Sequence, residues 1–338
     1  MDLNLLWFVL LGILLAGYAI LDGFDLGVGI LHPAARNEKE RRIMINSIGP
    51  LWDGNEVWLV TFGGAMFAAF PNAYATVFSG FYIAFMMLLF ALIFRAVSLE
   101  FRGKRESGAW KRFWDYSFFG ASFLATFLFG DAAGNALKGI SIDANGVFTG
   151  SFFDLIRPFP ILIGLLTVSF AVMHGAIYLY LKTEGELQQL VHRWMWRGFG
   201  LTLVCYMLAT IFTLVTIPGA IDNFEKHPWS YAIVILTVLA FANIPRAIFL
   251  GRPFYAFLSS CSTILALVFL FSLTLFPNLV VSSISADFNL NIYNAASSQK
   301  TLGIMAIIAL IGMPFVLAYT TAIYWAFRGK VRLSEHSY

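Results

Sequence analysis

Two short stretches of this sequence place acidic residues among apolar ones. Asp22 and Asp25 lie in LDGFDLGVG, three residues apart and therefore on one face of a helix. Asp53 and Glu56 have the same spacing in WDGNEVW. In a bilayer, an ionisable side chain costs about 2.5–3.5 kcal/mol on an insertion scale, so each one requires a reason. Close carboxyls in such surroundings can hold protons and pass them on, which predicts a path for protons or cations.

Three residues beside the second pair are candidates for supporting it. Asn55 stands between Asp53 and Glu56, and Trp52 and Trp58 flank the segment. The competing interpretation is a polar network that only holds two helices, or this chain and a partner, together. The number of acids favours the proton path, because a purely structural contact would not need four of them.

The composition identifies the solvent of the segments that carry these acids. Of the 338 residues, 59% are hydrophobic and 12% are charged, whereas about 25% are charged in a soluble domain. Such a chain has too few polar groups to cover a water-facing surface, so its solvent is lipid. A soluble protein and a nucleic-acid-binding protein are therefore excluded. The long unbroken apolar runs also exclude a transmembrane β-barrel.

Nine stretches are long and apolar enough for membrane-spanning helices, which need about 20 residues. They are Leu5–Leu31, Ile48–Phe70, Ala73–Leu99, Trp114–Ala136, Phe159–Leu181, Arg197–Ile221, Pro228–Leu250, Phe254–Phe276 and Leu302–Phe327. We predict an all-α integral membrane protein in which residues 1–338 form a single membrane domain. At about 1.5 Å per residue, Asp25 and Asp53 would lie roughly 10 Å from the nearer interface, and Asp22 and Glu56 roughly 15 Å.

The basic residues predict how the chain is oriented. Of the 22 Lys and Arg residues, 18 fall on the side that holds the odd-numbered loops and the C-terminus. By the positive-inside rule this side is cytoplasmic, so the N-terminus lies outside. Arg95 and Arg246 end spans on the cytoplasmic side, where we expect their side chains to snorkel to the interface.

The histidines do not form a cofactor site. His174 is the only histidine well inside a span, and we expect it to be hydrogen-bonded instead of ligating a metal. His32, His192, His227 and His336 lie in loops or tails, so no pair of haem or copper ligands is present in the sequence. We therefore predict no metal site and no catalytic residue in this chain.

Several long segments resemble subunit II of the cytochrome bd quinol oxidases. They are LDGFDLGVGIL, RRIMINSIGPLWDGNEVWLVTFGGAMFAAFP, FSGFY, FRAVSLEFR, FWDYSFFGASF, GNALKG and NAASSQKTL. With the nine-span topology, the resemblance covers nearly the whole chain. It implies a fold of two four-helix bundles, spans one to four and five to eight, plus one peripheral helix.

The resemblance also implies a function and partners. Such complexes belong to the respiratory chain of the bacterial cytoplasmic (inner) membrane, where they oxidise quinol, reduce O2 to water and take protons from the cytoplasm. Subunit II is haem-free and pairs with a homologous subunit I, which carries two b-type haems, one haem d and the quinol site. In some members subunit II also holds a structural quinone. Small single-span accessory subunits are further candidate partners, beside the lipid bilayer itself.

The resemblance assigns roles to some of the acids. In the family, the aspartate of the WDGN segment, here Asp53, is associated with a proton route into subunit I. The acidic pair of the DGFD segment, Asp22 and Asp25, lies nearby. Glu56 stands where some relatives have Gln.

Two alternatives from other classes also fit the residues. A proton- or cation-coupled secondary transporter or channel likewise needs acids in broken, Gly-rich helices, and Gly49, Pro50 and Gly54 lie beside the second acidic pair. The chain could instead be a purely structural membrane partner. Copurification with a haem-bearing polypeptide would separate the oxidase subunit from both alternatives.

Overall fold

A computed structural model describes residues 2–333, and the regular structure of this range is almost entirely helical. The helices are α1 (Leu3–Leu31), α2 (Glu38–Ile48), α3 (Trp52–Ala69), α4 (Pro71–Gly80), α5 (Tyr82–Phe101), α6 (Gly108–Lys138), α7 (Pro158–Lys182), α8 (Gly185–Thr216), α9 (Asp222–Lys226), α10 (Tyr231–Phe249), α11 (Pro253–Leu275) and α12 (Gln299–Ala326). Two short strands, β1 (Asn278–Val280) and β2 (Leu290–Asn291), pair antiparallel. The all-α membrane fold is confirmed, because residues 2–333 contain eight helices long and apolar enough to cross a membrane, namely α1, α5 to α8 and α10 to α12.

Most of the predicted spans coincide with these helices. Spans one, five, seven, eight and nine begin and end within three residues of α1, α7, α10, α11 and α12. Span four was predicted to begin at Trp114, but α6 begins six residues earlier, at Gly108.

The predicted second span, Ile48–Phe70, is wrong at its start. The charged segment before it forms the amphipathic helix α2. Its residues Met44 and Ile48 are completely buried in the largest cluster of buried apolar side chains, which we call the main core. Pro50 then interrupts the helix, because proline has no N–H to donate. The helix that carries the second acidic pair, α3, therefore begins at Trp52.

The predicted third span, Ala73–Leu99, is divided at Phe81 into α4 and α5. Just before the division, the Ser79 hydroxyl donates to the backbone carbonyls of Ala75 and Thr76. Such local bonds compete with the helix and bend it.

The predicted sixth span, Arg197–Ile221, is also wrong at its start. Helix α8 begins at Gly185, because Leu187, Val191 and Trp194 continue an apolar stripe into the main core. Amphipathic periodicity, and not overall hydropathy, extends this helix beyond the apolar run.

Helix α7 lies at the centre of the packing and contacts α1, α6 and α8. Its backbone touches that of α1: a Cβ on Gly27 would overlap the carbonyl oxygen of Ala171 and lie 3.0 Å from the Cα of Gly175. Helices α5 and α6 pack together, as do α10 and α11, while α3 packs on α1. Most of the large apolar side chains of α12 are exposed.

The loop between α6 and α7 and the loop between α11 and α12 meet at one end of the helices, near the N-terminus of α1. The Ile140 N–H donates to the carbonyl of Val281 at 3.0 Å, and the Ser283 N–H donates to that of Ile140 at 2.9 Å. The joined loops bury Ile142 and Ile292 completely. The acidic residues of α1 lie toward its other end.

Candidate functional site

The two acids of α1 lie against one arginine of α5. The Arg95 guanidinium donates two hydrogen bonds to the Asp22 carboxylate, at 2.5 and 3.0 Å. It also donates to Oε1 of Glu56 in α3 at 2.7 Å, and its Nη2 lies 4.0 Å from Oδ2 of Asp25. The side chains of Asp22, Asp25 and Arg95 are completely buried, whereas that of Glu56 is 23% exposed. One cation thus faces three acids.

Close packing of α1 and α3 brings these acids together. A Cβ on Gly17 would overlap the ring of Trp58, whose Cδ2 atom would lie only 3.0 Å away, so the absence of a side chain makes room for the indole. Trp52, the other tryptophan predicted to support the acids, is half-buried and packs against the main core. Both tryptophans therefore position α3 by packing.

Asn55 is hydrogen-bonded to one of these buried acids, Asp25. Its amide Nδ2 donates to Oδ2 of Asp25 at 2.7 Å and to the carbonyl of Leu21 at 3.1 Å. The Tyr324 hydroxyl of α12 donates to Oδ1 of Asn55 at 2.9 Å, which fixes the orientation of the amide. The other Asp25 oxygen, Oδ1, is buried without a hydrogen-bond partner in the part of the chain that the structure describes. Buried polar atoms without a partner are uncommon, so Oδ1 leaves one acceptor of the cluster for a further donor.

Asp53 is the one predicted acid that lies apart from Arg95. It is exposed in the first turn of α3, and its side chain makes no hydrogen bond or ion pair within residues 2–333. The positive end of the helix dipole favours an acid at this position. The structure therefore brings together Asp22, Asp25 and Glu56, and leaves Asp53 on the surface, three residues before Glu56.

The prediction that Arg95 snorkels to the interface is wrong. Helix α5 continues to Phe101, so Arg95 lies about 9 Å inside the end of its helix. Its side chain points inward, where carboxylates at hydrogen-bonding distance replace the water that it would otherwise need. Arg246 is exposed, as expected.

A second polar cluster, which was not predicted from the sequence, lies just beyond the C-terminal end of α5. His32, which was expected in a loop, is completely buried just after α1 and shares a 2.6 Å hydrogen bond with Asp115 of α6. The Arg102 Nε donates to Asp115 at 2.5 Å, and its Nη1 and Nη2 donate to the two oxygens of Glu38 at 3.0 and 2.7 Å. Burial raises the pKa of Glu38, but the Arg102 guanidinium lowers it more, so it lies below its ordinary value. The segments that follow α1 and α5 contain charged residues of both signs. This pattern predicts ion pairs, but it does not tell which residues pair.

His174 is hydrogen-bonded, as expected. Its Nδ1 lies 2.7 Å from the Ser260 hydroxyl and its Nε2 lies 3.0 Å from the carbonyl of Ile20. Among residues 2–333, no group of three or more His, Cys, Asp or Glu side chains could hold a metal ion. His336, which was predicted to lie in a tail, is outside the described residues.

Comparison with known proteins gives consistent matches over nearly the whole chain. The model of the family described as cytochrome bd terminal oxidase subunit II matches residues 3–327. The chain is 36% identical to cytochrome bd-I ubiquinol oxidase subunit 2 of Escherichia coli (strain K12), with 97% of this chain and 95% of that protein covered. It is 35% identical to cytochrome bd ubiquinol oxidase subunit 2 of Bacillus subtilis (strain 168), with 99% and 98% covered.

The fold is similar to that of a chain in the solved structure of bd oxidase from Geobacillus thermodenitrificans. The TM-score is 0.80 at 16% sequence identity, and the match covers 97% of this chain and 99% of the other. At this level of identity the likeness concerns the fold alone.

Proposed function

Because this chain belongs to the family of cytochrome bd terminal oxidase subunit II, we propose that it supplies a proton route to the haem-bearing subunit I of its complex. As a member of this family it is a multi-pass subunit of a quinol-oxidising oxidoreductase in the bacterial inner membrane. Family membership favours this function over a coupled transporter or channel, and over a purely structural partner.

The proposed topology has nine spans within one membrane domain, residues 1–338. Helix α3 supplies the ninth span, because its 18 residues reach about 27 Å, close to the roughly 30 Å hydrocarbon core. The basic loops then lie in the cytoplasm and the N-terminus lies outside. Helices α1, α3, α5 and α6 form one four-helix bundle, α7, α8, α10 and α11 form the other, and α12 is peripheral.

In this proposal the haems belong to the partner. Subunit I carries two b-type haems and haem d and reduces O2 with electrons from quinol, while this chain holds no catalytic residue. A structural quinone in this chain and small accessory subunits remain part of the proposal, with quinol and O2 as the substrates of the complex.

The observation that carries the proton role is the charge balance around Arg95. One guanidinium neutralises one carboxylate, yet Asp22, Glu56 and Asp25 all lie within 4.0 Å of it. A buried charge without a partner is costly, so neutrality of this cluster requires protons on the remaining carboxyls. A contact that only holds helices together would not need these additional protonated carboxyls, whereas a route that accepts and releases protons does.

The proposed route begins at Asp53 and continues to the buried cluster. Asp53 is exposed, and Glu56 follows it by one helical turn on the same face of α3. Glu56 is partly exposed and hydrogen-bonded to Arg95, so it borders both the surface and the buried acids. Asp25, with its free oxygen and its Asn55 partner, lies at the inner end.

The test replaces single acids in the complex purified through this chain. Asp53→Asn is expected to lower quinol-dependent O2 consumption by about tenfold or more, since proton transfer by a positioned group is lost, while the haem absorption spectrum stays unchanged. Asp287→Asn, an exposed acid in an outer loop, is the matched control and should have no effect.

Two results would count against the proposal. An Asp53→Asn complex that assembles and turns over normally would remove Asp53 from the route. An Asp25→Asn complex that loses haem d, with normal turnover per remaining haem, would assign the acids of α1 to assembly.

A further inference from the structure

A groove runs between α10 and α11 on the exposed side of these helices, and no residue of the acidic cluster around Arg95 lines it. Its volume is about 680 Å³, within the range of small-molecule sites. Apolar side chains make up most of its lining, among them Leu236, Leu239, Leu258, Leu265 and Phe269. The shape and lining favour a long apolar ligand.

Three of the four polar residues that line the groove, Asn243, Ser259 and Ser262, already make hydrogen bonds within the chain. The Asn243 amide donates to the Ser259 hydroxyl at 2.8 Å and accepts from Nη1 of Arg246 at 3.1 Å. The Ser262 hydroxyl donates to the carbonyl of Leu258 at 2.9 Å. With these bonds made, the groove offers a mainly apolar surface to its ligand, which suits a hydrocarbon chain.

Two arginines lie at one end of the groove. The first is Arg246, which is bonded to the groove residue Asn243, and the second is Arg252, whose guanidinium lies 6.0 Å from the ring centre of the groove residue Tyr255. Both arginines are exposed, and neither has an acidic partner within 4.0 Å among residues 2–333. Guanidinium groups bind phosphate oxygens well, often with two hydrogen bonds.

The length of the groove matches one leaflet of a bilayer. Its lining on α10 extends from Ile233 to Asn243, which is about 15 Å at the rise of an α-helix and equals half of a roughly 30 Å hydrocarbon core. An acyl chain that begins at the arginines would therefore end near the bilayer centre.

From these features we infer that the groove between α10 and α11 binds an anionic phospholipid, with its phosphate at Arg246 and Arg252 and one acyl chain along the groove. With the orientation given under the proposed function, this lipid belongs to the cytoplasmic leaflet. A quinone would fill the groove with its isoprenoid tail, but its uncharged head group would not use the two unpaired cations.

The inference is tested by native mass spectrometry of the complex purified through this chain. The complex is stripped of lipid with detergent and titrated with a phosphatidylglycerol and with a phosphatidylcholine of the same acyl chains. Two variants remove the two halves of the site: the double variant Arg246→Gln, Arg252→Gln removes the cations, and Ala266→Trp fills the groove. Their controls are the double variant Arg193→Gln, Arg197→Gln, on exposed residues of α8, and Ala242→Trp, on an exposed position of α10 that does not line the groove.

We expect the wild-type complex to bind at least one molecule of phosphatidylglycerol more tightly than it binds phosphatidylcholine. The arginine double variant should weaken its apparent affinity by about tenfold or more, because each basic residue near a lipid surface contributes to binding. The tryptophan variant should lose the same lipid, and both controls should retain it.

Three outcomes would overturn the inference. Equal binding of both lipids that is insensitive to the arginines would mean that the head group is not recognised. Retention of phosphatidylglycerol by both site variants would place the lipid elsewhere on the complex. A quinone that copurifies with the wild type and is lost from Ala266→Trp, in place of a phospholipid, would identify a different occupant.

Discussion

The Arg95 guanidinium and the Asp22 carboxylate form a two-bond ion pair between residues 73 positions apart in the chain. Both side chains are completely buried. The pair joins α5 to α1, and Glu56 extends it to α3. Removing one member of a buried pair leaves a lone charge, whose cost exceeds what the intact pair contributes to stability.

We therefore expect Arg95→Gln to destabilise the chain strongly, by about 3–5 kcal/mol. Arg95→Lys should have a smaller effect, because it keeps the charge but cannot form the two-bond contact with Asp22. Thermal unfolding of the purified complex, with the amount of chain in the membrane, measures both effects. The exposed Arg193→Gln is the control, and an Arg95→Gln complex as stable as this control would show that the acids need no cation.

The contact of α1 with α7 leads to a second prediction. Gly27→Ala places a methyl group against the carbonyl oxygen of Ala171, so it should destabilise the chain by about 1–3 kcal/mol through overpacking. Gly200→Ala in α8 meets open space and should change stability by less than about 1 kcal/mol. Unfolding midpoints of the two variants in the same complex provide the comparison. Equal unfolding midpoints would show that α1 and α7 can move apart to accept the methyl group without loss of stability.

The contact between Glu40 and Arg36 makes the stability of the chain depend on pH. Glu40 accepts hydrogen bonds from Nε and Nη2 of Arg36 at 3.0 and 2.6 Å. Burial raises the pKa of Glu40, but these bonds outweigh it and leave the pKa below the ordinary value of 4.5. The folded chain thus binds this proton more weakly than the unfolded chain does. The stabilisation is complete above pH 4.5 and is lost as the pH falls through the lowered pKa.

Comparison of the wild type with Glu40→Gln isolates this contribution. The wild type should unfold at a higher temperature at neutral pH, and the difference between the two proteins should shrink on acidification below pH 4.5. Glu186→Gln, which removes the more distant and exposed partner of Arg36 at 3.4 Å, should differ little from the wild type throughout. A difference that is constant with pH would assign the effect of Glu40→Gln to packing.

Much of the fold was predictable because hydropathy and length determine where a helix can cross a bilayer. The grouping of Asp22, Asp25 and Glu56 was also predictable, since the position of each acid can be counted along its own helix, α1 or α3. That Arg95 pairs with these acids was not predictable, because its position along α5 does not tell in which direction its side chain points. Its pairing depends on a contact between α1 and α5 that the period of a single helix does not encode.

Two other features escaped prediction for related reasons. The N-terminal part of α8 is too polar to resemble a span, and it is helical because Leu187 and Val191 pack against the core. Asp53 was predicted to lie at a level similar to that of Asp25, and the structure adds that its side chain is on the exposed face of α3, which the level along a helix does not determine. Counting residues gives the distance along a helix, whereas packing decides which side of it meets a neighbour.

The hydrogen bond from Tyr324 to Asn55 also constrains the order in which the chain can mature. Its two ends are separated by 269 residues, an interval that a ribosome covers in roughly 13 to 54 s at about 5–20 residues per second. During that interval α1 and α3 are already synthesised, and Asn55 lacks the phenol that fixes its amide. Membrane insertion of α12 is consequently the step that completes the surroundings of Asp25, so an acid of the first helix acquires its final environment from the last helix that the structure describes.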